Sequence, residues 1–113
     1  MVIAVCEEEQ VAIDHMLHVI DAWAKRHQYP DVYVKVYLSA DELWDDWERG
    51  KVFHALFLDI PFKYMSGFTL AQKVRKTDLN IPIIFVTSTG AYLQRGYEVS
   101  AYRYLKKPPA PPD

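Results

Sequence analysis

The apolar positions of the chain fall into two rhythms. Val2-Ile3-Ala4-Val5-Cys6 and Ala55-Leu56-Phe57-Leu58 are unbroken apolar runs, the first stopped by Glu7-Glu8-Glu9 and the second by Asp59. Ile83-Ile84-Phe85-Val86 is a third such run, and it ends in the hydroxyl of Thr87. Continuous apolar segments of this length read as strands covered on both faces, as in a parallel sheet. Val32, Val34 and Val36 alternate instead with Tyr33, Lys35 and Tyr37. That period of two leaves one face wet or partly covered and places the strand at a sheet edge. Tyr102-Arg103-Tyr104-Leu105 reads as a last strand.

Between these runs the rhythm is helical. Ile13, Leu17, Ile20 and Ala24 recur between Val11 and His27, with Met16 and Trp23 beside them, and Pro30 marks the stop. Ser39-Ala40-Asp41-Glu42 is a capping box opening a second helix, with Leu43, Trp44 and Trp47 inward and Gly50 at its C-terminal end. A loop from Ile60 to Ser66 leads to a third helix over Gly67–Lys76, with Leu70, Ala71 and Val74 inward. Ser88 and Thr89 cap a short fourth helix over Ala91–Val99. Residues 109–113 are proline-rich and linker-like. Strands alternating with helices at short intervals predict an α/β fold: a doubly wound, five-stranded parallel sheet of order 2-1-3-4-5. Ligands gather beyond the carboxyl ends of such strands, at the switch point between the first and third. Glu7, Glu8 and Asp59 are expected to meet there.

Composition narrows the field. The 113 residues are 50% hydrophobic and 25% charged, which suits one domain with one core. A net charge of -2, with acids and bases interleaved, speaks against a basic nucleic-acid surface. The single cysteine, Cys6, excludes an internal disulfide framework and a multi-cysteine zinc site. No apolar stretch approaches the ~20 residues of a membrane span, and the start of the chain is no signal peptide, so a cytoplasmic location fits.

Four strand ends then carry a chemical pattern along one sheet edge: Glu7 and Glu8, Asp59, Thr87 and Lys107. Carboxylates brought together repel unless a cation joins them, and oxygen donors of this kind suit Mg2+. A carboxylate nucleophile, a hard metal ion, a lysine and a hydroxyl make a phosphoryl-transfer site, in which metal and lysine neutralise the equatorial oxygens while Asp59 attacks in line.

The ordered set Glu7-Glu8, Leu58-Asp59-Ile60, Met65-Ser66-Gly67, Phe85-Val86-Thr87-Ser88 and Tyr104-Leu105-Lys106-Lys107-Pro108 resembles the receiver domain of bacterial two-component response regulators. The resemblance covers residues 1–108. Ile3-Ala4-Val5-Cys6-Glu7-Glu8-Glu9 and Gly96-Tyr97-Glu98-Val99 are similar to receivers of the LytR/AgrA type, which usually precede a LytTR DNA-binding domain. The resemblance implies that Asp59 is the phosphoacceptor for a sensor histidine kinase. It makes Glu7 and Glu8 the metal-side acids and the Pro61 carbonyl a further Mg2+ ligand. Thr87 becomes the switch hydroxyl, Lys107 the phosphate-pairing lysine and Tyr104 the aromatic that changes rotamer. Enzymatic activity in this reading is at most Mg2+-dependent self-phosphorylation and slow autodephosphorylation. DNA contact falls to an output domain, with no membrane contact.

The chain departs from the family pattern in three places. Both acids after the first strand are Glu where the family usually has Asp. Lys63 stands where the family carries a proline, which is displaced to Pro61. The fifth helix that usually closes the sheet is missing from the 113 residues, so a homodimer or higher assembly is expected to cover the sheet surface beside the first helix. Plainer readings stand beside each assignment: Asp59 and Thr87 as caps, Glu7 and Glu8 as a solvated helix start favoured by its dipole, Lys106 as a rival of Lys107, Tyr104 as packing. Cys6 reads as a small buried hydrophobe, and Trp23, Trp44 and Trp47 as core. The alternative function is a receiver-like interaction or dimerisation module independent of phosphorylation. A small metabolite phosphatase shares the carboxylate chemistry but needs a substrate cap for which the chain has no room.

Overall fold

The computed structural model describes residues 1–60, 67–87 and 99–106. The loop after Asp59 at residues 61–66, the predicted fourth helix up to residue 98 and the proline-rich tail lie outside the described residues. Among the described residues eight elements follow in order: β1 (Val2–Cys6), α1 (Gln10–Arg26), β2 (Tyr33–Tyr37), α2 (Ala40–Glu48), β3 (Ala55–Asp59), α3 (Gly67–Arg75), β4 (Ile83–Thr87) and β5 (Arg103–Lys106). The strands form one parallel sheet in the order β2-β1-β3-β4-β5. β1 pairs with β2 and β3, through Ile3 with Val34 and Ala55 and through Val5 with Val36 and Phe57.

Alternation along the buried strands sends side chains into two separate cores. Ala4, Cys6, Leu56, Leu58, Ile83 and Phe85 face one way and meet Leu43 of α2 and Phe68, Leu70, Ala71 and Val74 of α3. Ile3, Val5 and Val86 face the other way and meet Ala12, Met16 and Ile20 of α1. Half-buried side chains flank both cores: Val2, Trp44, Trp47 and Ala101 the first, and Val32, Val34, Val36, Ala55, Phe57 and Leu105 the second. β2 lies at the edge its alternation predicts, its valines turned toward the α1 side.

Helix ends follow local chemistry. Ser39 Oγ accepts the Glu42 amide at 3.2 Å, the serine half of the expected capping box. α2 stops in a Schellman motif: Gly50 has φ +89, its amide donates to Trp47 O, and that of Lys51 donates to Asp46 O. α1 stops the same way, with Gln28 at φ 59 and the Tyr29 amide on Ala24 O, two residues before Pro30. The stop is therefore a closed turn, and Pro30 only follows it. Trp23 departs from the expected core role: it is 39% exposed and stacks on Tyr29 at 5.1 Å. Trp44 and Trp47 are half-buried against the α2–α3 core.

Candidate functional site

The site grows from the carboxyl ends of β1 and β3. Their last paired residues are Cys6 and Leu58, so Glu7 and Asp59 occupy the next row. The ladders run one step further on either side, with the Glu7 amide donating to Tyr37 O at 3.0 Å and the Ile60 amide to Val86 O at 3.3 Å. Alternation puts Asp59 on the face of Ala55 and Phe57, and Glu7 on the face of Ile3 and Val5, which is one and the same face.

Both carboxylates are buried, Glu7 at 0% exposure and Asp59 at 4%. Glu7 Oε1 accepts the amides of Glu8 at 3.0 Å and Glu9 at 3.1 Å, so the side chain folds back over the turn that follows it. The neighbouring thiol reports on both acids. Burial pushes the Cys6 thiol well up, and the negative charges of Asp59 and then Glu7 push it further. Cys6 thus stays protonated and packs as a small apolar group, as expected from its type.

Glu8, the next acid, is exposed. Among the described residues no three His, Cys, Asp or Glu side chains converge closely enough to hold a metal ion. What the fold does bring together is a pair of buried carboxylates of like charge, with a third acid one residue away. That donor set fits a hard divalent cation such as Mg2+, which takes a few carboxylate oxygens and completes its shell with water and phosphate. Pro61, whose carbonyl was expected to join them, lies outside the described residues.

The other predicted residues are placed by register. Thr87 is the last residue of β4 and pairs with Lys106, and Tyr104 pairs with Phe85. The side chains of Thr87, Tyr104 and Lys106 lie outside the description, as does all of Lys107.

Two supporting residues were not assigned roles from sequence. Gly67 opens α3 directly against the main chain of Asp59: a Cβ there would lie 1.9 Å from the Asp59 carbonyl oxygen. No side chain fits, so the glycine sets how closely the helix approaches the strand end. Its place in Met65-Ser66-Gly67 was the available signal. Arg75, at the other end of α3, donates to the carbonyls of Val99 at 2.6 Å, Ser100 at 3.1 Å and Asp78 at 3.2 Å. It ties α3 to the turn entering β5, where Ser100 has φ 52. Nothing in the spacing of the sequence distinguishes this arginine from a solvated one.

A parallel sheet of this order, with two buried carboxylates at the ends of its first and third strands, defines the receiver class of signalling domain. The chain belongs to the response regulator receiver domain family, whose model matches residues 3–113. It is 32% identical over 113 residues to accessory gene regulator protein A of Staphylococcus epidermidis, covering 95% of this chain and 46% of that protein. It is 30% identical over 77 residues to the transcriptional regulatory protein NatR of Bacillus subtilis, covering 66% of this chain and 33% of that one. These relatives include the LytR/AgrA type expected from the motifs, and the chain spans less than half of their length.

Among solved structures, the response regulatory domain of mrkE from Klebsiella pneumoniae superposes with a TM-score of 0.80 at 22% identity, covering 97% of this chain and 85% of that one. Response regulator TrrA of Thermotoga maritima, solved in complex with Mg2+-BeF, gives 0.67 at 20% identity, covering 95% and 86%. At these identities the likeness bears on the fold. No helix among the described residues is long and apolar enough to cross a membrane.

Proposed function

We propose that this chain is the phospho-accepting receiver of a two-component response regulator, with Asp59 as the acceptor. The observation that carries the reading is the burial of Asp59 beside Glu7 at adjacent strand ends, within a domain of the receiver family. A carboxylate held nearly dry among fixed neighbours is poised to attack, and its position beyond a parallel strand leaves the line of approach on the loop side.

A carboxylate oxygen of Asp59 attacks the phosphorus of a phosphohistidine on a sensor histidine kinase. The P–O bond forms as the P–N bond breaks, and the electron pair returns to the imidazole, which takes up a proton. Lys107 pairs with the phosphoryl oxygens, and the Thr87 hydroxyl donates a hydrogen bond to one of them. Those contacts are complete in one arrangement of the domain only, so its population rises, with Tyr104 changing rotamer as the β4–β5 side closes. Glu7, Glu8, Asp59 and the Pro61 carbonyl are the residues that would hold Mg2+, and the ion, when bound, neutralises charge on the transferring group. Water later hydrolyses the acyl phosphate and restores the carboxylate.

The output inferred from relatives named as transcriptional regulators is transcription, through a DNA-binding domain and the surface of β5 with the segment expected from sequence to form a fourth helix, in the cytoplasm. A second copy is the proposed partner for the α1 side of the sheet, where Phe57, Ala55 and Leu105 remain half-buried.

Intact mass after incubation with Mg2+ and a small phosphodonor tests the reading. The expected result is one phosphoryl group on the wild type, none on Asp59→Asn and none after prior chelation. A folded wild type that gains no mass overturns it, leaving the phosphorylation-independent interaction module.

A further inference from the structure

Glu7 stands where the family pattern has an aspartate, and it is one methylene longer. In this structure that length is taken up in a return: the carboxylate turns back, and one oxygen, Oε1, receives both following amides, at 3.0 Å from Glu8 and 3.1 Å from Glu9. The turn it closes joins β1 to α1. α1 has no side-chain cap of its own, since its N-cap residue is Glu9 and makes no capping bond. α2, by contrast, is capped locally by Ser39. The β1–α1 turn is therefore organised from the strand side, by a residue with no exposure at all.

Accepting two amides at one buried oxygen fixes three things together. It sets the course of the main chain at Glu8 and Glu9, it turns the Glu8 side chain outward, and it pins the Glu7 carboxylate beside Asp59. A buried oxygen that accepts two amides is held rigidly, and rigid supports hold site residues to within a fraction of an ångström. An amide oxygen accepts these two bonds as a carboxylate oxygen does. Charge is not required for this part of the work.

We propose that Glu7 is a positioning residue: through Oε1 it locks the β1–α1 turn and thereby holds its own carboxylate in the buried row beside Asp59, a task that needs an acceptor oxygen at position 7. The inference rests on the receiver reading for its metal and on the hydrogen bonds alone for the lock.

The test compares Glu7→Gln, which keeps the acceptor, with Glu7→Met, which keeps length and burial without it. Two readouts are taken on the full chain: hydrogen exchange of the Glu8 and Glu9 amides by NMR, and Mg2+ affinity by calorimetry with Mg2+ alone. The expected result is rescue. Amide protection in Glu7→Gln stays within about threefold of wild type, consistent with two retained bonds, and falls at least tenfold in Glu7→Met. Glu7→Gln should also bind Mg2+ at least tenfold more tightly than Glu7→Met.

Equal loss of Mg2+ affinity in both variants, or fast amide exchange in Glu7→Gln, overturns the proposal and makes charge at position 7 the requirement. If Glu7→Met does not fold, the amide protection of Glu7→Gln decides on its own. If wild type takes up no Mg2+, the metal reading falls, and amide protection still decides whether the lock exists.

Discussion

At the two edges of the sheet, polar groups are treated in opposite ways. At the amino edge they close on one another. The N-terminal ammonium donates to Asp31 O at 2.9 Å, and the Val2 amide donates to His54 Nδ1 at 2.9 Å. Asp78 Oδ1 accepts the amides of Asn80 and Ile81, and Arg75 spreads its guanidinium over three carbonyls. Donors meet acceptors there, and cation meets dipole. At the carboxyl edge two carboxylates of like sign are buried in one row, and the glycine-opened helix is pressed against the strand that carries one of them. The first arrangement serves stability. The second concentrates charge that repels itself, which is how a fold keeps a site ready for a cation or a phosphoryl group at some cost to the folded state.

The largest test of this contrast is at Gly67. Gly67→Ala puts a methyl group into the Asp59 carbonyl, and overpacking against backbone is expected to cost on the order of 3 kcal/mol or more, read as a lowered urea midpoint. An unchanged midpoint would mean that the helix start yields freely and that Gly67 does not set the approach. Next comes the amino edge. Arg75→Met removes three charge-assisted bonds while keeping an apolar stem, and a loss of about 2 kcal/mol is expected, with faster amide exchange around residues 99–102.

Asp59→Asn should shift stability the other way. Removing one of two neighbouring buried negative charges is expected to add roughly 1 kcal/mol, read as a melting temperature a few degrees higher. A drop instead would show that attraction from its neighbours outweighs the repulsion between the two acids, and the contrast would collapse.

The smallest expected effect is at the end of β2. The buried Tyr37 hydroxyl donates to Asp46 at 2.5 Å, with Lys51 at 3.3 Å. The Tyr37 hydrogen bond foremost, with Lys51 beside it, holds the Asp46 carboxyl below its usual range, while burial and Asp46 push the Tyr37 hydroxyl up. A lowered acid contributes stability that is present above its unfolded value, about 4, and lost as pH falls through the folded value. A raised phenol contributes stability that is present below its unfolded value, about 10, and lost as pH rises beyond it. Tyr37→Phe should therefore flatten both limbs of a stability–pH curve, with little change near neutrality.

Much of this was legible along the chain, and the reason is periodicity. Unbroken apolar runs ending in Glu7 and Asp59 require strands with both faces covered, and the alternation at Val32, Val34 and Val36 requires an edge. Those two demands go far toward ordering a parallel sheet, because few right-handed windings satisfy both. The ends of α1 and α2 were legible less well. Gly50 announces a left-handed residue, whereas Gln28 adopts one with no sequence signal, because the pull of the Ala24 and Lys25 carbonyls outweighs the strain.

Side-chain direction was decided only in three dimensions. Trp23 has core spacing on α1, yet it turns outward onto Tyr29, because the inward stripe is already filled by Ala12, Met16, Ile20 and Ala24. Glu7 and Glu8 are identical in type and adjacent in sequence, and nothing in one dimension separates them. The fold turns the first inward to a row shared with Asp59 and leaves the second exposed in the turn beyond the strand. Residue type and spacing determined that acids stand at these strand ends. Which acid is buried, what its oxygen holds and how close α3 comes to Asp59 were decided by packing, because those are distances between segments that the chain order leaves far apart.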